Sequence, residues 1–369
     1  MSKHNILFLI NDFTVGGAQK LLIDEFNYLD RKSYELFLVT LFEFKDKEDF
    51  FDQIPDFVHL TRLDFRSAKD IKGWLSFIKT LKNIKPNLVI SGLFLSNFIS
   101  RVLKPFFGYQ CIAIEHNTYV NKRWWEIWLD RILSYLTFRI VGVSRSVVDF
   151  TAKQEKISLK KFQVINNGVD LKNYKPVDLA VKEEKKKKIN FKSEDKLIIS
   201  VGRLTPQKNQ KQLIEAFSIF SKKHPEYKLI ILGQGGLFND LSALINQLNI
   251  SNNIFLLGSK QNLIDYYQAS DFFASTSLIE GFGIAHVEAM ACGLPILTTK
   301  TAGPDEMLTE GVNGYFIEAE TGSICEGLEK MLKLNINRVC ENSIKTSKKY
   351  DIKYNIEKYQ ELIEKSFRA

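Results

Sequence analysis

Residues 271–298, DFFASTSLIEGFGIAHVEAMACGLPILT, constrain the fold more than any other stretch because they contain a complete strand, turn, helix and second strand. The apolar residues 272–274 predict a short strand. Gly281 and Gly283 then open a helix, which ends at the turn G-L-P before another apolar run. A strand, helix and strand in this order are the unit from which parallel α/β sheets are built.

Two glutamates, Glu280 and Glu288, accompany the start of this helix. Glu280 lies on the loop at the carboxyl end of the strand. Glu288 lies about one and a half turns into a helix that begins near Gly283, so both are expected at one crevice. Ligands bind at that edge of open parallel sheets, and the N–H groups of a helix N-terminus attract phosphate. Ordinary turn chemistry with a surface carboxylate is the alternative.

The same alternation of short apolar strands and helices runs through the chain and predicts an α/β fold with parallel sheets. Strand-like runs cover residues 6–10, 35–41, 57–60, 88–91, 111–115, 140–143, 196–201, 228–232 and 254–258. Helical patterns such as 71–81 and 210–222 separate them. Because single hydrophobic cores seldom grow beyond roughly 250–300 residues, a chain of 369 residues is expected to form two domains.

Gly16 and Gly17 follow the first strand and open a helix, where a glycine pair lets the backbone approach a ligand closely. They do not form the G-x-G-x-x-G dinucleotide fingerprint, and a plain strand-to-helix turn is the alternative. His116 stands at the carboxyl end of the strand 111–115. A lone histidine in such a position is more often structural than functional.

Arg203 and Lys208 lie in the loop between the strand 196–201 and the helix 210–222. Cations in this position can meet a diphosphate held at the sheet edge. Two basic residues in a loop are common, so this pattern alone does not separate a binding site from a solvated turn. No aspartate has another aspartate two positions away, so the D-x-D pattern that holds a diphosphate through a metal ion is missing.

The run E-G-F-G-I-A-H-V-E, followed by A-M-A-C-G-L-P, closely resembles the signature of the retaining glycosyltransferases of family 4. V-S-R-S, N-N-G-V-D, V-G-R-L with Q-K-N, and G-V-N-G-Y-F-I match further family motifs in the same order, so the resemblance covers essentially the whole chain. It implies the GT-B fold, in which two Rossmann-like domains face each other across a deep cleft. The implied parts are an acceptor-binding domain at 1–172, a linker at 173–193, a nucleotide-sugar-binding domain at 194–349, and a terminal helix at 350–369 that packs back on the first domain.

The resemblance also implies roles for individual residues. The family residues that match Arg203 and Lys208 hold the nucleotide diphosphate. The family residue that matches Glu288 accepts hydrogen bonds from the ribose hydroxyls. Glu280 is expected to hold the donor sugar and to stabilise its oxocarbenium-like centre, while His116 contacts the transferred sugar. The other positions expected to bind the donor are Gly16, Gly17, Gly258, Gly281, Phe282 and Gly283.

Two positions depart from the usual family pattern. Gly236 stands where relatives often have proline, which puts the local loop geometry in question. His286 stands where relatives usually carry an apolar residue. It is interpreted either as surface variation or as a group that tunes the nearby site.

The implied reaction is retaining transfer of a hexose or N-acetylhexosamine from a nucleotide diphosphate sugar, UDP in first place and GDP next. The missing D-x-D pattern agrees with metal-independent catalysis, in which Arg203 and Lys208 supply the positive charge and no cofactor takes part. A covalent intermediate and same-face departure and attack both stay open. Two other functions stay open as well: a non-catalytic nucleotide-sugar-binding scaffold subunit, and a soluble sugar phosphorylase or synthase of the same fold.

Residues 122–139, KRWWEIWLDRILSYLTFR, contain three of the four tryptophans and predict an amphipathic helix. Its apolar face comprises Trp125, Trp128, Leu129, Ile132 and Leu136, and its edges carry Lys122, Arg123, Arg131 and Arg139. This composition is typical of a helix in a membrane interface, which favours a lipid-linked glycan acceptor in cell-surface polysaccharide assembly. A helix whose apolar face covers the sheet is the alternative.

The first half of the chain is basic, since residues 1–175 carry 26 Lys and Arg against 19 Asp and Glu. Such a balance favours an acidic partner, either anionic lipid or a phosphate-bearing substrate. A nucleic-acid partner is not expected, because no recognition motif with stacking aromatics is present.

The four cysteines, Cys111, Cys292, Cys325 and Cys340, have no C-x-x-C spacing, so neither a zinc site nor a disulfide framework is expected. The first residues enter a strand pattern directly, without the features of a signal peptide. A membrane span needs about 20 apolar residues, and no stretch of this length is present. The expected location is the cytoplasm, peripherally at the inner face of the membrane.

Overall fold

The computed structural model describes residues 3–44, 48–67 and 70–368, which form two compact units. The first unit comprises Met1–Gly168 and Ile352–Ala369, and the second comprises Val169–Asp351. The chain therefore leaves the first unit a few residues before the expected boundary at 172 and returns to it shortly after 350. None of the helices in the described ranges is long and apolar enough to cross a membrane.

Within the described residues, the first unit contains a seven-stranded sheet in the order β3-β2-β1-β4-β5-β6-β7, and its neighbouring strands are parallel. The strands are β1 His4–Ile10, β2 Tyr34–Thr40, β3 Val58–Arg62, β4 Leu88–Gly92, β5 Gln110–Glu115, β6 Arg139–Gly142 and β7 Phe162–Val164. The helices between them are α1 Gly17–Tyr28, α2 Ile71–Ile84, α3 Phe94–Phe107, α4 Trp124–Leu133 and α5 Arg145–Glu155. The central strands are apolar on both faces because helices cover both sides of the sheet.

The tryptophan-rich segment differs from its prediction. A single helix over 122–139 is expected, but α4 ends at Leu133, a 3₁₀ turn follows at Ser134–Leu136, and Arg139 already begins β6. Lys122 lies outside the helix with a side chain that is 7% exposed, so it is an interior residue and not a cation at the helix edge.

Within the described residues, the second unit contains a six-stranded parallel sheet in the order β10-β9-β8-β11-β12-β13. The first helix of this unit, α6 Leu179–Lys188, precedes its first strand. The strands are β8 Lys196–Val201, β9 Tyr227–Leu232, β10 Ile254–Leu256, β11 Phe272–Ser275, β12 Ile296–Thr299 and β13 Gly314–Ile317. The remaining helices are α7 Gln210–Phe220, α8 Phe238–Gln247, α9 Ile264–Ala269, α10 Ile284–Ala291, α11 Ala302–Met307, α12 Thr321–Met331 and α13 Ile336–Ser347.

Residues 173–193 are expected to be a linker, but they contain α6 and belong to the second unit. Several lysines of this helix pair with acidic residues of the same unit. Nζ of Lys182 donates to Asp271 at 2.8 Å, and Lys185 and Lys188 both pair with Asp265. The charge run is therefore a helix that packs through Lys182, Lys185 and Lys186 and exposes its other charged residues.

The last helix, α14 Ile352–Phe367, belongs to the first unit. Its Asn355 side chain donates to the carbonyl oxygen of Asn166 at 2.7 Å, and the ring of Phe367 stacks on His4 at 4.1 Å between centroids. Helix α14 thus packs against both ends of the N-terminal part of this unit.

Candidate active site

The second sheet reverses its direction of growth between β8 and β11, which are hydrogen-bonded neighbours. From β8 the chain adds β9 and β10 on one side, and from β11 it adds β12 and β13 on the other. A ligand crevice forms at the carboxyl edge of such a switch point in parallel α/β sheets. Lys208 follows β8 and Glu280 follows β11, so these two predicted site residues lie on the loops that border it.

Lys208 and Glu280 form an ion pair in which the ammonium donates to Oε2 of the carboxylate. Their side chains are 18% and 16% exposed, so solvent can reach the pair while most of it is enclosed. Gly202 makes room for the lysine, since a Cβ there would lie 3.3 Å from Cε of Lys208. Burial pushes the pKa of Glu280 upward, but Lys208 outweighs it and holds this pKa below its usual range. Glu280 is therefore ionised at neutral pH.

Hydrogen bonds between the two loops fix the position of this pair. Oγ1 of Thr276 donates to the carbonyl oxygen of Lys208 at 3.2 Å. The N–H of Leu278 donates to the carbonyl oxygen of Gln207 at 2.8 Å, and the Gln207 side chain donates to the carbonyl oxygen of Ile279 at 2.8 Å. The loop after β11 is thereby tied to the loop after β8, which preorganises the charges between them.

The glycine turn before α10 has a backbone geometry that favours glycine. Gly283 has a φ of 86° and is the N-cap of α10, and Gly281 is buried in the same turn. A Cβ at Gly303 would lie 1.9 Å from the carbonyl oxygen of Phe282, so the turn and α11 touch through backbone. The Phe282 ring is buried and packs edge-on against Tyr350 at 5.3 Å between centroids. Its side chain thus supports the turn from within.

Glu288 lies in the second turn of α10 and is buried. The hydroxyl of Tyr267, on α9, donates to Oε2 of Glu288 at 2.8 Å. Burial and the nearby carboxylate raise the pKa of Tyr267 well above its usual value, so the phenol keeps its proton and orients the glutamate. Sequence reasoning missed Tyr267, because the segment D-Y-Y-Q carries no motif and the contact depends on how α9 packs.

His286 is a buried residue beneath the glycine turn and not surface variation. It is 2% exposed, and Nε2 lies 2.9 Å from Oγ1 of Thr298. A Cβ at Gly283 would lie 2.5 Å from Nδ1 of His286, so the histidine fills the space that this glycine leaves. Burial lowers the pKa of His286 to about 4, which keeps the imidazole neutral at pH 7.

Arg203 and Gly258 lie at the same edge of the second sheet but outside the ion pair. The Arg203 side chain is exposed, while its carbonyl oxygen accepts from the side chain of Gln210 at 2.9 Å. Gly258 has a φ of 71°, and its carbonyl oxygen accepts from the N–H of Gly233 at 2.8 Å. A Cβ at Gly236 would meet nothing within 4 Å, so this position has open space for a side chain.

The first unit has its own switch point, between β1 and β4. Residues at the carboxyl ends of three strands, Ile10, Gly92 and His116, line a narrow cavity there. A Cβ at Gly92 would lie 2.7 Å from Nε2 of His116, so the glycine accommodates the imidazole. Burial lowers the pKa of His116 to about 4, and the ring is neutral at pH 7. Gly16 is the N-cap of α1, which begins at Gly17.

Glu25 of α1 lines the same cavity and was missed by sequence reasoning. It is 7% exposed, and its Oε1 has no hydrogen-bond partner among the residues that the structure describes. Burial, with a smaller contribution from Asp24, raises the pKa of Glu25 to about 8. The sequence did offer a signal for Glu25. It shares a face of α1 with Leu21 and Leu22, and a glutamate is unusual on a face that is otherwise apolar.

The described part of the chain contains no group of three His, Cys, Asp or Glu side chains that could hold a metal ion. Lys208 and Arg203 are the cations on the loop that follows β8. Metal-independent catalysis without a cofactor stays a prediction.

Two family models match the chain and divide it near the boundary between the units. The model described as Glycosyl transferases group 1 matches residues 181–350. The model described as Glycosyltransferase Family 4 matches residues 15–173. Both matches agree with the resemblance noted in the motifs.

Curated relatives match long parts of the chain. The UDP-Gal:alpha-D-GlcNAc-diphosphoundecaprenol alpha-1,3-galactosyltransferase of Escherichia coli is 26% identical over 319 residues, which cover 82% of this chain and 81% of the relative. The N-acetylgalactosamine-N,N'-diacetylbacillosaminyl-diphospho-undecaprenol 4-alpha-N-acetylgalactosaminyltransferase of Campylobacter jejuni is 33% identical over 216 residues, which cover 57% of this chain and 55% of the relative.

Solved structures match the fold over nearly the whole chain. Anabaena HepE in complex with UDP and glucose aligns with a TM-score of 0.84 at 19% identity, covering 97% of this chain and 99% of HepE. WaaG, a glycosyltransferase involved in lipopolysaccharide biosynthesis, aligns with a TM-score of 0.77 at 17% identity, covering 97% of this chain and 99% of WaaG. At identities of 19% and 17%, these alignments show that the fold is shared.

Proposed function

Because the chain belongs to the group 1 glycosyltransferases of family 4 and has their GT-B fold, we propose that it transfers a hexose or N-acetylhexosamine from a nucleotide diphosphate sugar to a lipid-linked glycan. The family and the fold class predicted from the sequence are both confirmed. The proposed reaction retains the anomeric configuration and needs no metal ion. UDP is the favoured nucleotide, followed by GDP.

The observation that carries this proposal is the Lys208–Glu280 ion pair at the switch point of the second sheet. Cleavage of the bond between sugar and diphosphate develops negative charge on the diphosphate and positive charge on the sugar. Lys208 and Arg203 stabilise the negative charge on the diphosphate, and the ionised Glu280 stabilises the positive charge on the sugar. Charges that are fixed before the reaction stabilise the transition state without reorganisation.

The turn at Gly283 and the buried Glu288 complete the proposed donor site. The N–H groups at the start of α10 donate hydrogen bonds to a phosphate oxygen, as helix N-termini do. Glu288, which Tyr267 orients, accepts hydrogen bonds from the ribose hydroxyls. Gly258 lies two residues after β10 with a φ of 71°, and its backbone is proposed to lie beside the base.

In the first unit, His116 is proposed to contact the transferred sugar. Its imidazole is neutral at pH 7, so it offers one donor and one acceptor to sugar hydroxyls. Gly16 and Gly17 at the start of α1 allow close approach of the backbone to the substrate.

The relatives support the donor and acceptor classes. The names of the E. coli and C. jejuni relatives specify undecaprenol-linked acceptors, and the E. coli name specifies UDP-Gal. HepE was crystallised with UDP and glucose. We also propose that the reaction takes place on the cytoplasmic side of the membrane, since the four cysteines are free thiols, as in a reducing compartment.

A transfer assay tests the proposal. The protein is incubated without divalent metal with UDP-glucose, UDP-galactose or their N-acetylamino counterparts, and with N-acetylglucosamine linked to undecaprenyl diphosphate. We expect one donor to give a lengthened lipid-linked product, whose new linkage has the donor's anomeric configuration by NMR. Nucleotide binding without transfer to any acceptor would favour the scaffold function. Transfer only to phosphate or soluble sugars would favour the phosphorylase or synthase function.

A further inference from the structure

Helix α4 and the 3₁₀ turn that follows it present aromatic side chains to solvent. Trp124, Trp128 and Tyr135 are 80%, 57% and 79% exposed, and Trp125 and Ile132 are 37% and 42% exposed. With 3.6 residues per turn, the helical positions among these and the exposed Arg131 occupy about a third of the helix circumference, and Tyr135 follows in the 3₁₀ turn. We call this surface the α4 face; it comprises Trp124, Trp125, Trp128, Arg131, Ile132 and Tyr135.

The opposite side of α4 is held by buried charge. Asp130, 2% exposed, accepts from Arg101 at 2.5 Å and from Lys122 at 2.8 Å. Lys122 also donates to Glu155 of α5 at 2.5 Å. A surface helix of a globular protein normally buries its apolar stripe and exposes its charges. In α4 the buried side carries Asp130 beside Leu133, while the exposed side carries three tryptophans. Covering the sheet therefore does not explain the exposed aromatic residues.

The charge around the α4 face is positive. Between residues 94 and 139 the acidic residues are Glu115, Glu126 and Asp130. Glu115 and Asp130 are buried, and Glu126 accepts from the N–H of Arg123 at 2.7 Å. Arg123 and Arg131 are exposed. The surface therefore combines large aromatic rings with cations.

We propose that the α4 face docks on an anionic lipid bilayer. Tryptophan and tyrosine rings are preferred at the level of lipid headgroups, where one end of the ring is apolar and the other wet. Arg123 and Arg131 contact lipid phosphates, and each such contact strengthens binding to an anionic surface by about fivefold. A helix that exposes aromatic and basic residues lies in the plane of the interface. This inference rests on α4 alone and is independent of the proposed reaction.

Vesicle flotation tests the docking surface. The purified chain is mixed with vesicles of phosphatidylcholine alone, or with vesicles in which one third of the lipid is phosphatidylglycerol. We expect the protein to float with the anionic vesicles at low salt, to remain behind with the neutral ones, and to be released by high salt. The tryptophan emission should shift to shorter wavelength on binding.

Matched variants locate the contact. Trp124→Ala combined with Trp128→Ala should lower the partition coefficient onto anionic vesicles at least about tenfold, and Arg131→Gln about fivefold. The controls are Tyr354→Ala, since Tyr354 is an aromatic residue of the same unit that is 55% exposed, and Lys153→Gln on α5. Both should float like the parent protein.

Two results would overturn the inference: a parent protein that does not bind anionic vesicles, or a double tryptophan variant that binds as well as the parent. Nucleotide binding, measured without vesicles, should be equal in the parent and in the tryptophan variants. A failed flotation with intact nucleotide binding would reject the docking surface and leave the proposed reaction standing.

Discussion

At the scale of single residues, the chemistry of the second unit depends on partly enclosed charges that compensate each other. Lys208 and Glu280 neutralise one another in a crevice where neither is fully solvated. Removing one partner leaves the other uncompensated, which costs more than the pair itself contributes. In the proposed reaction Lys208 stabilises the diphosphate and Glu280 stabilises the sugar. Substituting one residue at a time is therefore expected to affect different steps.

Glu280→Gln should lower kcat by about 10²–10³-fold, because it removes a preorganised charge from the developing cation. Binding of UDP should be retained, since the charge of Lys208 is then fully available to the diphosphate. Lys208→Gln should instead weaken UDP binding as well as kcat. Titration calorimetry with UDP and the rate of UDP release measure the two effects. Equal loss of UDP binding in both variants would contradict these roles.

His286 makes stability depend on pH. Its pKa is lowered to about 4 in the folded protein, whereas an unfolded histidine titrates near its usual value of about 6.5. Between these values the unfolded chain binds more protons, so stability falls as the pH decreases from about 6.5 towards 4. His286→Leu removes this contribution, and the parent should lose stability relative to the variant by up to about 1.4 kcal/mol per pH unit.

Unfolding followed in denaturant at several pH values compares the parent with His286→Leu. His116 has a lowered pKa as well, but it is present in both proteins and cancels in the difference. Parallel stability curves between pH 4 and 6.5 would show that His286 is not buried in the neutral form.

At the scale of elements, α6 shows how a charge run can be a packed helix. Lys186 is 4% exposed, and its ammonium donates to the carbonyl oxygen of Asp195 at 2.5 Å. Asp265 pairs with two lysines of α6. These partners lie up to about 90 positions away in sequence, as the contact between Lys182 and Asp271 illustrates. The run E-E-K-K-K-K alone therefore predicts a solvated segment.

Trypsin distinguishes the packed helix from a linker. A linker would be cut quickly at the lysines of residues 182–188, whereas α6 should resist cleavage until the second unit opens. Asp265→Ala leaves Lys185 and Lys188 without this partner and should accelerate cleavage, while Asp240→Ala on α8 serves as the control. Rapid cutting of the parent within α6 would contradict the packing.

At the scale of the whole molecule, the sequence predicts the two parallel sheets because short apolar runs alternate with helical patterns along most of the chain. Strand β8 begins and ends at the predicted residues, 196 and 201. Strand β7, Phe162–Val164, was not predicted because three residues carry too little pattern. The motifs place Lys208 and Glu280 on loops, but only the strand order brings those loops together. Tyr267 and Glu25 were missed because their roles depend on tertiary contacts.

The most direct test of the account is thermal unfolding of the protein with UDP, with GDP and with their sugars, in the absence of metal. A ligand that binds only the folded protein at about 100 times its Kd stabilises it by roughly 2.7 kcal/mol. We predict that one nucleotide stabilises the parent and the control Lys211→Ala, whereas Lys208→Ala and Glu288→Ala lose the response. A folded parent that responds to no nucleotide would contradict the proposed site.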